Sequence, residues 1–146
     1  MTTYCIYDAE GRIVQSNKVF DPPANYEAKI RDFKQNFIKL DQPHLVPAEK
    51  FYVANNGLVR MPRMRIAVSK RRIKAGGRDT VVVTGCPINA DYAVDHSLPG
   101  IGAVTPYSGK LPDGELEIGM DIPCLFTIRV ERFPFRAFSV QIEAVE

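Results

Sequence analysis

Between Leu116 and Glu146 the chain alternates apolar and polar residues three times in succession. Leu116, Ile118 and Met120 share one parity, and Cys124, Phe126, Ile128 and Val130 form a second row opposite Thr127, Arg129 and Glu131. Phe138, Val140, Ile142 and Ala144 form a third. A period of two places successive side chains on opposite faces, so each run predicts a strand with one buried and one wet face. Three such runs in close order predict an antiparallel β-sandwich, and none of them carries a catalytic constellation.

The pattern upstream adds strands. Met64, Ile66 and Val68 alternate with Arg63, Arg65 and Ser69, and a turn through Ala75-Gly76-Gly77 leads into Thr80 to Thr84. Ala90 to Val94 is a further strand. The total is about seven short strands over some 85 residues, the density of an immunoglobulin-like sandwich. The chain has no Trp, so only that architecture is implied and not the antibody core. Asp95 to Asp113, and Ser97 to Gly109 within it, show no alternation and predict a long loop. Its apolar residues Leu98, Ile101, Val104 and Tyr107 need either the core or a partner to cover them, and a protein interface is the expectation.

Before Met61-Pro62 the composition differs, which divides the chain into residues 1–61 and 62–146. Tyr4 to Asp8 and Arg12 to Ser16 flank Ala9-Glu10-Gly11 as a hairpin. Asp21 before Pro22-Pro23 predicts a helix N-terminus. The spacing of Tyr26, Ile30 and Phe33 then predicts an amphipathic helix over 23–35. Phe37 to Leu40 fits either a continued helix or a strand. Phe51 to Ala54 and Leu58 to Met61 bracket Asn55-Asn56-Gly57, with the positive-φ positions expected at Asn56 and Gly57. The predicted fold is mainly β: a small N-terminal α+β unit of hairpin, helix and hairpin, followed by an immunoglobulin-like antiparallel sandwich.

Chemistry is sparse. Cys5, Cys86 and Cys124 are odd in number and widely spaced, which predicts reduced thiols rather than a disulfide framework or zinc site. His44 and His96 belong to no metal-binding spacing. Asp95, His96 and Ser97 supply the residue types of a hydrolase triad, but neighbours in a chain do not converge in that relay. Gly100-x-Gly102 and Gly76-Gly77 lack the lysine and helix of a phosphate loop, and Asp91, Asp95 and Asp113 match no calcium-loop spacing. The expectation is no enzyme, no catalytic or metal residues and no cofactor. Lys and Arg number 19 against 17 Asp and Glu, a formal charge of +2, too balanced to indicate nucleic acid or membrane. Arg60 to Arg78 nevertheless contains no acid. Arg63, Arg65, Arg71 and Arg72 there predict a basic edge, either solvated or facing an acidic protein; without interleaved aromatics, nucleic acid is disfavoured. Phe133 and Phe135 around Pro134 predict a cap on the open end of the sandwich or, if exposed, aromatic anchors. The first residues lack the basic start and apolar run of a signal peptide, and no apolar stretch is long enough to span a bilayer, so synthesis and folding in a cytoplasm are expected.

Two resemblances follow from these residues. Ile73-Lys74-Ala75-Gly76-Gly77-Arg78-Asp79-Thr80-Val81-Val82-Val83 resembles the lead-in to the second strand of bacterial immunoglobulin-like domains of the invasin and intimin type, with Gly76 where an aspartate is usual. Tyr4-Cys5-Ile6-Tyr7-Asp8, Phe51 to Pro62, that lead-in and Thr127 to Phe135, in this order, resemble small tail-associated structural proteins of tailed bacteriophages. The resemblance implies a virion component in the tail, connecting or decorating tail, baseplate or fibre attachment. Its partners would be other tail or fibre proteins, and it would form a symmetric homo-oligomer. A capsid decoration protein, a carbohydrate-binding adhesin module for the host surface, and a tail assembly chaperone outside the virion are the alternatives.

Overall fold

A computed structural model describes residues 2–20, 22–42, 44–98 and 102–146. The chain forms two compact units, Met1–Pro62 and Arg63–Glu146.

In the first unit, β1 (Thr2–Tyr7) runs antiparallel between β2 (Ile13–Val19) and β3 (Asn36–Leu40). Flanked on both edges, β1 buries both of its faces. Cys5 packs with Ile13, Ile38, Val46 and Val53 on one side; Tyr4 and Ile6 meet Ile30 of α1 (Tyr26–Asp32) on the other. The Tyr4 ring lies 4.8 Å from Tyr26 and 5.8 Å from Phe37, which completes that face. Thr3 is fully buried, and its hydroxyl lies 3.0 Å and 3.1 Å from the carbonyls of Gln42 and His44, so its polarity is compensated.

The helix is shorter than predicted. The Tyr26 N–H donates to the Pro23 carbonyl at 2.9 Å, so the prolines form a turn ahead of the helix instead of its first turn. Asn25 takes the N-cap position without a side-chain cap bond, and the predicted cap, Asp21, lies outside the described residues. Lys34 at φ 55 ends the helix. Phe33 is therefore 78% exposed rather than buried on the helical face, and Phe37 belongs to a strand. The second hairpin joins β4 (Phe51–Ala54) to β5 (Gly57–Arg60) with Ala54 opposite Gly57. Its two turn residues are Asn55 and Asn56, at φ 52 and 60; the positive-φ pair falls one residue earlier than predicted because Gly57 already pairs in the strand.

The second unit holds β6 (Ala67–Val68), β7 (Arg72–Lys74), β8 (Thr80–Thr84), β9 (Ala90–Leu98), β10 (Gly102–Leu111), β11 (Leu116–Gly119), β12 (Cys124–Glu131) and β13 (Phe138–Val145). One sheet has the order β10-β9-β12-β13-β7, the other β11-β8-β6. With β8 and β11 together in one sheet and β9, β12 and β13 in the other, the order is that of an immunoglobulin-like sandwich with an added edge strand. The first strand is divided: Ala67–Val68 pairs with β8, and Arg72–Lys74 crosses to pair parallel with β13. The unit is thus antiparallel except at this one pair. Val81 and Val83 of the smaller sheet and Val94, Phe126, Ile128, Val130 and Ile142 of the larger one are each under 2% exposed and form the core.

Two expectations fail here for physical reasons. The strand predicted from Met64 is reduced to Ala67–Val68, although Met64 and Ile66 still pack against the core. Gly85, at φ 81 just after β8, ends the regular ladder there, and its backbone lies so close to Arg65 that a Cβ would sit 2.3 Å from the Arg65 carbonyl oxygen. The predicted long loop is a hairpin of β9 and β10. Its register shifts between Val104 and Tyr107, where Pro106, lacking an N–H, is taken up as a bulge.

Candidate interaction surfaces

β9, β10 and β12 place the polar residues of the larger sheet on its outer face. The Arg129 Nε lies 2.5 Å from Asp95 Oδ2, and the Thr105 hydroxyl donates to Asp95 Oδ1 at 2.6 Å. Lys110 meets Asp91 at 2.8 Å. This ladder ties three strands together. The Arg129 guanidinium first, then the Thr105 hydroxyl, holds the Asp95 carboxyl below the usual carboxylate range; Lys110 does the same for Asp91. Asp95 and Asp91 are thereby engaged by cations, not turned together toward a metal. Among the described residues no group of three His, Cys, Asp or Glu side chains is placed to hold one.

Because Asp95 titrates lower folded than unfolded, its stabilisation is fully present above the ordinary carboxylate range and is lost as pH falls through the lowered value. Carboxyl carbon NMR should show Asp95 titrating below that range, and Arg129→Gln should move its midpoint up; an unmoved midpoint would remove Arg129 as the cause. The effect on stability is small at such an exposed pair.

Asp95 and His96 project to opposite faces of β9, so the triad types do not converge. His96 pairs in register with Val104 and Phe126, and its buried Nδ1 has no hydrogen-bond partner among the described residues. His44, in the other unit, is exposed. Burial pushes all three thiols up, those of Cys5, Cys86 and Cys124, which keeps them protonated and poorly nucleophilic; the Ser16 hydroxyl partly offsets this at Cys5.

The four residues predicted as an interface loop belong to the hairpin. Tyr107 pairs with Val94 and Val104 with His96, so both side chains take the core-facing side of the larger sheet. Yet that sheet has five strands against three in its partner, and Tyr107 remains 46% exposed while Val104 is half-buried. Leu98 ends β9 opposite Gly102; Ile101 lies outside the described residues.

The predicted basic edge is not one edge. Arg63 and Arg65 sit in the unpaired segment before β6; Arg71 and Arg72 lie at β7, where Arg72 pairs with Glu143 at 3.1 Å. Lys70 pairs with Asp79. Phe133 and Phe135 are half-buried in the turn between β12 and β13, so neither forms an open aromatic platform; the Phe133–Pro134 bond of that turn is cis. Sequence reading missed the exposed apolar residues Ile88, Ile122 and Leu125. Leu125 was visible as an apolar residue of the wrong parity in β12.

The fold defines a mainly β protein whose second unit is a two-sheet, largely antiparallel β-sandwich. Neither a protein-family model nor a curated protein matches this chain. Among the described residues no helix is long and apolar enough to cross a membrane.

Proposed function

We propose that this chain is a non-enzymatic structural component of a bacteriophage particle, a tail protein that connects or decorates the tail, baseplate or fibre attachment as a symmetric homo-oligomer. The observation that carries the reading is the β9–β10 arm. It is a long hairpin whose outer face is bridged by the Asp95, Arg129 and Thr105 contacts, with Tyr107 turned to the core side and still 46% exposed. Rigid sheet surfaces transmit position without chemistry, and covering the exposed half of an aromatic side chain contributes about 1 kcal/mol per copy, which repeated around a symmetric assembly biases its formation. The order of strand-and-turn motifs along both units supports the tail assignment by resemblance. Of the aromatic platforms a sugar-binding adhesin would need, Tyr107, Phe133 and Phe135, only Tyr107 is exposed, and the half-burial of the other two speaks against that reading.

The substitution Tyr107→Glu, at the exposed aromatic, tests the arm. It should lower incorporation into purified particles at least tenfold, corresponding to about 1.4 kcal/mol, while circular dichroism and the unfolding midpoint of the free protein stay near wild type. Incorporation at normal occupancy would remove the arm from assembly.

A further inference from the structure

We propose that the N-terminal half of β13 is a strand-addition site for an acidic segment of a partner protein, with Arg63 and Arg136 as its carboxylate receptors. β13 pairs with β12 along one edge from Phe138 to Ala144, but on its other edge β7 reaches only Glu143 to Val145. The Glu143 N–H donates to the Arg71 carbonyl at 2.9 Å, and the Ala75 N–H to the Val145 carbonyl at 2.6 Å. In an antiparallel ladder alternate residues turn their backbone groups to alternate sides. Ser139 and Gln141 share the parity of Glu143, so their N–H and C=O groups point to the side that β7 leaves open.

Beside this edge lies a groove of about 320 Å³ lined by Arg63, Met64, Arg136, Ala137, Phe138 and Ser139. Half-buried Met64 and Phe138 supply apolar floor, and Ser139 adds a hydroxyl. Arg72, Arg129, Lys70 and Lys110 each have a carboxylate partner. Arg63 and Arg136 have no ion-pair partner among the described residues, although the guanidinium fork suits a carboxylate. An open edge also invites pairing with a second copy, but two copies meeting here would bring the same arginines together. The charge therefore selects an acidic strand over self-association: main-chain bonds give adhesion and the arginines give specificity. The inference does not depend on where the protein resides, since it rests on the edge and the groove alone.

The test uses the full chain, labelled with 15N and titrated with a synthetic octapeptide of alternating glutamate and valine, then with its lysine and valine counterpart. The acidic peptide should shift the Ser139 and Gln141 amides saturably and slow their hydrogen exchange. The lysine peptide should not. Arg63→Glu with Arg136→Glu should weaken binding at least tenfold while leaving amide signals far from the groove in place. Equal shifts with both peptides, unchanged binding by the double variant, or no shift at these amides would overturn the proposal. So would a shift of the same amides with protein concentration alone, which would assign the edge to a second copy.

Discussion

Replacing Phe126 by alanine is expected to destabilise the second unit by about 3–5 kcal/mol, since truncating a buried aromatic removes its transfer energy and leaves a cavity. Phe126 is 1% exposed and lies on β12, the middle strand of the five-stranded sheet. Hydrogen-bonded neighbours hold β12 on both edges, with His96 and Ile142 opposite Phe126. The backbone cannot move in to fill the space. Domains are commonly stable by about 5–15 kcal/mol, so this single change removes a large share. In urea, the midpoint for the second unit should fall sharply with little change in slope. The adjacent Leu125→Ala is the control: at 55% exposure on the opposite face, it should change stability by no more than about 0.5 kcal/mol. Equal losses at the two positions would mean that the facing of β12 is wrong.

Gly11→Ala is expected to destabilise the first unit by about 3 kcal/mol, combining left-handed strain of 1–2 kcal/mol with displacement of a packed strand. Gly11 has φ 94, and a Cβ there would lie 2.2 Å from the Val53 carbonyl oxygen. The closeness is functional for the fold. The Val53 N–H donates to the Gly11 carbonyl at 2.8 Å, and Arg12 bridges to Tyr52, so this turn joins the β1–β2 hairpin to β4. Asp8 Oδ1 accepts the N–H groups of Glu10 and Arg12 at 2.9 Å each and fixes the turn on the other side. An added methyl must therefore push β4 away from its contact with Cys5 and Ile13. Loss of near-ultraviolet tyrosine dichroism at a lower temperature would report it. Gly57→Ala, where a Cβ meets only the Ala54 carbonyl at 3.6 Å, should be nearly neutral, and a comparable loss there would contradict the account.

The three terminal strands were legible because each turns one face to the core: in the middle one, Phe126, Ile128 and Val130 are all at 1% exposure or less. Strict burial leaves strict alternation in the sequence. Strand β9 was legible only to Val94, since the next residue of its core-facing parity is the polar His96, while Pro106 breaks the register of its partner. Strand β7 was hidden inside the basic run because Ile73 is its single inward residue. The helix was overextended because Phe33 has the right spacing, but Lys34 turns the chain before that residue can pack. Arg63 could be read as an exposed cation from sequence; its pairing with Arg136 around a groove could not, because only the return of β13 beside the start of the first strand brings them together. The Asp95–Arg129 contact was invisible for the same reason: it is a cross-strand neighbour relation.

The proposed virion role is tested most directly by mass spectrometry of purified phage particles from cells that express this chain, with peptide amounts calibrated against a portal or capsid subunit whose copy number is fixed by symmetry. A fixed copy number in the low tens or fewer is the predicted result for a symmetric tail component. Absence from the particles would contradict the account and return the chain to the class of assembly chaperones or cellular binding modules, and hundreds of copies would contradict the tail placement in favour of capsid decoration.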